Sequence, residues 1–123
     1  MRYLTDRKRA EGLGSAKSGT LHHWHMMVSA VGLAILVPLF IFTFGGILGA
    51  PHEEVVAYYS RPFPAIVAGL TILIGLYHFK NGAQIAIEDY THGIVRKLSI
   101  IAVTCFSYGL MATGLYALIR LAL

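Results

Sequence analysis

Four ionisable side chains and a tyrosine fall within one otherwise apolar stretch: His78, Lys80, Glu88, Asp89 and Tyr90. Groups of this kind are costly to bury in lipid and mark cofactor, ion or proton sites. Eleven residues separate His78 from Asp89. On an α-helix that spacing returns to within about 20° of its starting direction and advances about 16 Å. One face therefore carries an imidazole at one level and the Asp89-Tyr90 pair at another. Gly75, Gly82 and Ala86 lie at −3, +4 and +8 from His78 and share its face. An imidazole in a groove of small side chains suits axial ligation of a haem, since small neighbours admit a flat macrocycle. The same imidazole would serve equally as the hydrogen-bond partner of a neighbouring helix, and spacing leaves both readings open.

The Asp89-Tyr90 pair has its own chemistry. A phenol donates to a quinone carbonyl, and a carboxylate beside it can orient that hydroxyl or relay protons. Quinone reduction consumes two protons, so a site near the aqueous boundary makes chemical sense. Tyrosines are also common at membrane interfaces for solvation alone. Lys80 points about 160° away from His78. Its open roles are snorkelling to the interface, pairing with an acid on a partner, and contacting a haem propionate. The cluster His22, His23, Trp24, His25 contains no cysteine, and adjacent histidines cannot all face one ion, so it does not read as a metal site. Cys105, the single cysteine, reads as packing.

These residues need a scaffold, and the chain's composition defines it. Of 123 residues, 56% are hydrophobic and only 13% charged. Val28–Leu48, Pro62–Phe79 and Leu98–Ile119 contain no formal charge. A membrane helix needs about 20 such residues to cross a hydrocarbon core of about 30 Å. An all-α membrane protein with three spans is expected, over about 24–48, 64–90 and 96–120, behind a polar arm at 1–20. Pro38 should bend the first span near its middle. Gly45, Gly46, Gly49 and Pro51 should end that span, and Pro64 suits a first helical turn. Residues 52–61 form a short outer loop with room for a helical turn. Gly12, Gly14, Ser15 and Gly19 predict an irregular arm. Gly69, Gly75, Gly82 and Ala86 in span two, with Gly109, Ala112 and Gly114 in span three, are candidates for close helix packing.

The net charge of +4 does not indicate nucleic acid, because its distribution follows a topology. Arg2, Arg7, Lys8, Arg9, Lys17, Arg96 and Lys97 fall on one side, and only Arg61 and Arg120 on the other. By the positive-inside rule the N-terminus is cytoplasmic. The arm has no apolar region of a secretory signal, and Asp6 and Glu11 distinguish it from a transit peptide. A bacterial cytoplasmic (inner) membrane is therefore expected.

The run His78-Phe79-Lys80-Asn81-Gly82-Ala83-Gln84-Ile85-Ala86-Ile87-Glu88-Asp89-Tyr90 resembles the second-helix signature of the D-type hydrophobic anchors of succinate dehydrogenase, complex II. Their pattern is a haem-ligand histidine, a glycine four on, and an Asp-Tyr pair eleven and twelve on. The arm resembles bacterial members too, with Gly14-Ser15-Ala16-Lys17-Ser18-Gly19-Thr20 followed by a tryptophan-containing entry to span one. The resemblance implies that His78 is one axial ligand of a haem b, its iron held on the other side by a histidine of a second, C-type cytochrome b anchor subunit. The two anchors would pack into one haem-binding bundle. It further implies that Tyr90, with Asp89 close by, contacts ubiquinone, and that flavoprotein and iron–sulfur subunits deliver electrons from succinate. The chain would perform no catalysis unaided. One departure stands out: many members read His-Trp-Trp-x-Gln-Arg-Val-Thr-Ala where this chain has His22-His23-Trp24-His25-Met26-Met27-Val28-Ser29-Ala30. Met27 takes the arginine's place.

A fumarate reductase anchor, sometimes without haem, is the rival within the class; His78 and its glycines favour the haem-bearing dehydrogenase. A purely structural or assembly protein is the rival outside it. A transporter subunit lacks support, since no acid–base chain crosses the apolar centre and no broken helices recur in repeated halves.

Overall fold

The computed structural model describes residues 5–12 and 19–123. Five helices follow in order: α1 (Asp6–Glu11), α2 (Gly19–Gly45), α3 (His52–Tyr59), α4 (Pro62–Tyr90) and α5 (Gly93–Ala122). No strand occurs among the described residues. Three of the helices, α2, α4 and α5, are long and apolar enough to cross a membrane, at 27, 29 and 30 residues. At about 1.5 Å per residue each exceeds the thickness of a hydrocarbon core.

The ends of these helices follow from local chemistry. Pro62 and Pro64 lie in the first turn of α4, where a missing N–H leaves no hydrogen bond unmade. Thr91 closes α4, its backbone N–H and Oγ1 both donating to the Ile87 carbonyl. Arg96 Nε then donates to the Thr91 carbonyl at 2.8 Å, tying the turn to α5. Gly93 enters α5 at φ +61, a left-handed conformation that favours glycine. Pro38 lies within α2, which remains helical through it.

One short element, α1, was not anticipated, and the helical turn allowed for in the outer loop extends to eight residues. The arm contains α1, started by Asp6 in its first turn and followed by Gly12 at φ +57. A negative charge at a helix N-terminus is favourable, and Arg9 reaches Asp6 at 3.8 Å in the same turn. Gly14 and Ser15, also read as irregular, lie outside the described residues. The outer loop is mostly α3, with Glu53 and Glu54 in its first turn. Tyr59 at its end is buried, and burial pushes its phenol above the ordinary value, with Tyr58 adding to the effect.

Helix α4 is the centre of the fold. Both α2 and α5 pack along it, α3 rests against α4 and α5, and α2 and α5 do not approach each other among the described residues. Glycines set the distances. A Cβ on Gly114 would meet Ile72 Cγ2 at 3.2 Å, and one on Gly69 would meet Leu118 Cδ2 at 3.4 Å. Small residues of this kind let helices approach within lipid, where no hydrophobic force drives them together. Few large apolar side chains are buried, whereas Phe42 is 79% exposed and Ile94 67%. That surface is suited to lipid and to partner helices rather than to water.

The close approach yields a prediction. Gly114→Val should cost about 1–3 kcal/mol by overpacking against Ile72. Gly109→Ala, with nothing within 4 Å of its added Cβ, should be neutral or stabilise by up to about 1 kcal/mol. Denaturant unfolding of the detergent-solubilised protein measures both, and equal losses would contradict the packing described.

Candidate functional site

His78 lies beyond the middle of α4 and is half-buried on the side facing α2. Its Nδ1 is 2.9 Å from Ser29 Oγ on α2, a contact between helices. Ser29 Oγ also lies 2.8 Å from the His25 carbonyl oxygen and 3.0 Å from that of Met26. His78 Nε2 makes no hydrogen bond to a described residue.

The small residues on the His78 face have a second use here. A Cβ on Gly82 would meet Met26 Cε at 3.8 Å, and one on Gly75 would meet Leu33 Cδ2 at 3.9 Å. Met26, Ser29 and Leu33 are spaced three and four apart, so one face of α2 meets Gly82, His78 and Gly75 in turn. The expected groove is thus partly filled by α2: one ring nitrogen of His78 bonds a neighbouring helix, and the other bonds no described residue.

Beside Ser29, α2 and α5 leave an open apolar cavity of about 390 Å³ over α4. His25, Val28, Ser29, Ile74, Tyr77 and Met111 are among its lining residues. Two observations bear on whether haem fits: Nε2 bonds no described residue, and an apolar cavity adjoins the helix pair, lined by Ser29 and Tyr77 but not by His78 itself. The donor chemistry is that of a neutral imidazole ligand.

Toward the C-terminal end of α4 a second cavity of about 440 Å³ is lined by Gly19, Leu21, His22, His25, Gln84 and Glu88. Gln84 Nε2 donates to Glu88 Oε1 at 2.8 Å, one turn apart. Asp89 and Tyr90 do not line it. Tyr90 is 86% exposed at the last position of α4, and Asp89 is exposed beside it. The structure therefore brings Asp89 and Tyr90 to the same helix end, both open to a partner. Among the described residues no group of three or more His, Cys, Asp and Glu comes together to hold a metal.

Lys80 turns toward α5, its Nζ 5.4 Å from the ring centre of Tyr77 and 6.0 Å from that of Tyr108. An ammonium over aromatic faces is stabilised by their quadrupoles. Tyr77 also meets His25 edge-on at 6.4 Å. Cys105 is exposed on α5. Sequence reasoning missed Ser29. The signal was present, since Ser29 takes the place of the threonine in the pattern His-Trp-Trp-x-Gln-Arg-Val-Thr-Ala, and both carry a β-hydroxyl.

This geometry defines a class: a three-span integral membrane subunit with an imidazole poised in the interior and a phenol at a helix end. The chain belongs to the succinate dehydrogenase/fumarate reductase transmembrane subunit family, whose model matches residues 1–115. It is 47% identical over 123 residues to a succinate dehydrogenase hydrophobic membrane anchor subunit of Paracoccus denitrificans, covering 100% of this chain and 95% of that one. It is 33% identical over 103 residues to the corresponding subunit of Rickettsia bellii, covering 80% of each. A Rickettsia conorii subunit of the same description is 34% identical over 101 residues, covering 80% and 79%. No solved structure matches the chain. The resemblance read from the His78–Tyr90 run holds: the chain is an anchor of the succinate dehydrogenase kind, a multi-pass protein of the inner membrane.

Asn81, three residues beyond His78, is almost fully buried with Nδ2 unpaired. An unpaired buried donor costs about 1–3 kcal/mol. Asn81→Leu should therefore leave stability unchanged or raise it. A fall of more than about 1 kcal/mol in denaturant unfolding would show that the amide has a partner, and would contradict its assignment as unpaired.

Proposed function

We propose that this chain is a membrane anchor of succinate:ubiquinone oxidoreductase that holds a haem b through His78 and completes a ubiquinone-reduction site with Tyr90 and Asp89. One observation carries the reading: His78 is held through Nδ1 by Ser29 at 2.9 Å while Nε2 bonds no described residue. A histidine prepared for iron is held in this way, through the nitrogen that does not ligate. The second axial histidine would come from a C-type cytochrome b anchor subunit. That partner, not water, would cover the apolar faces left open beside α4.

The reaction sets the roles. Succinate oxidation at the flavoprotein releases two electrons, which pass through the iron–sulfur subunit to the quinone. The quinone takes up two protons with those electrons to become the quinol. Tyr90 would donate a hydrogen bond to a quinone carbonyl, and Asp89 would orient the hydroxyl or relay a proton from the aqueous side. Haem, when bound, supplies a one-electron centre near this route. The iron–sulfur subunit would dock on the side of the membrane that carries the basic arm, Arg96 and Lys97, which under the positive-inside rule would be the cytoplasmic side.

Two outcomes are expected of the intact complex. His78→Ala should abolish the b-type band in a reduced-minus-oxidised spectrum, and an unchanged band would remove His78 as ligand. Tyr90→Phe should lower succinate-driven quinone reduction at least tenfold, about 1.4 kcal/mol of lost stabilisation. Reduction of an artificial acceptor by the flavoprotein should persist. Equal quinone rates in variant and wild type would exclude Tyr90 from the site.

A further inference from the structure

Ser29 differs from the other hydroxyl residues of the membrane helices. Thr43, Thr71 and Thr113 bond carbonyls of their own helices, and Ser107 Oγ is buried without a partner. Ser29 bonds its own helix and also reaches the imidazole of another.

A hydroxyl has one proton and two lone pairs. The carbonyl oxygens of His25 and Met26 can only accept, so Ser29 must donate toward them, at 2.8 and 3.0 Å. A lone pair is then left facing His78 Nδ1, which must carry the hydrogen. The opposite arrangement has Ser29 donating to Nδ1. It sets the hydroxyl oxygen against two carbonyl oxygens with no proton between them. It also puts the ring proton on Nε2, where no described residue accepts it. Counting protons thus selects one tautomer.

We infer that Ser29 is a positioning residue, whose hydroxyl holds His78 as the Nδ1–H tautomer and leaves Nε2 as the bare lone pair for iron. This rests on the haem reading given above. The hydrogen bond has an electronic consequence as well as an orienting one. Accepting from Nδ1–H raises the basicity of the ligating nitrogen, which stabilises ferric over ferrous iron and lowers the haem potential.

The test uses the purified complex with all of its subunits, carrying Ser29→Ala, Ser29→Cys or Ser29→Thr, and a redox titration of the haem band. Ser29→Ala should shift the ferric-to-ferrous preference about tenfold, raising the potential by about 59 mV. Ser29→Thr keeps the hydroxyl and should stay within about twofold of wild type. Ser29→Cys, similar in shape but a weak acceptor, should move in the direction of alanine. If Ser29→Ala fails to assemble or loses the haem, the cysteine and threonine variants carry the comparison. An unchanged or lower potential in Ser29→Ala overturns the inference, as does a Ser29→Thr variant that shifts equally far or loses the haem. A wild-type complex without b-type haem, or one keeping it in His78→Ala, would overturn the parent reading and this inference together.

Discussion

A polar atom at the centre of a bilayer has no water to turn to, so it must be paired within protein or left at a cost of several kcal/mol. That constraint organises this chain around the contact between Ser29 and His78. The hydroxyl bonds its own helix and the imidazole of the next, so one residue serves α2, α4 and the candidate ligand at once. Gly75 and Gly82 lie on either side of His78 and allow the approach that the bond requires. Packing of α2 on α4 and presentation of the imidazole are therefore a single feature.

The rest of the architecture follows from α4 being central. Helices α2 and α5 lie on it without meeting, which leaves an apolar cavity over its exposed strip. The chain buries few large side chains and leaves many open, a pattern suited to a subunit completed by lipid and by other helices. Lys80 illustrates the economy of such a fold. Placed in the interior of a membrane helix, its ammonium rests over Tyr77 and Tyr108 and so links α4 to α5.

Much of this was legible in the sequence. Three uncharged blocks near the length of a bilayer crossing announced three apolar helices, because hydrocarbon thickness admits few alternatives. The His78–Tyr90 run carried the family resemblance. What could not be read was lateral: which face of α2 meets which face of α4. Ser29 was missed as a partner for that reason, although its place in the span-one pattern marked it as a hydroxyl position, and Lys80 could not be assigned among its open roles. The stripe of Gly75 and Gly82 read as room for a cofactor, and the structure gives part of that room to Met26 and Leu33. Helix α1 escaped notice because nearby glycines outweighed a short run opened by Asp6.

On the function proposed above, this membrane anchor carries a haem between itself and a second anchor. A dithionite-reduced-minus-oxidised optical spectrum of the complex, purified in detergent through a tag on this chain, tests it most directly. A b-type haem spectrum is expected, in a preparation containing two large soluble subunits and a second small membrane subunit. A preparation with those partners and no haem band would contradict it.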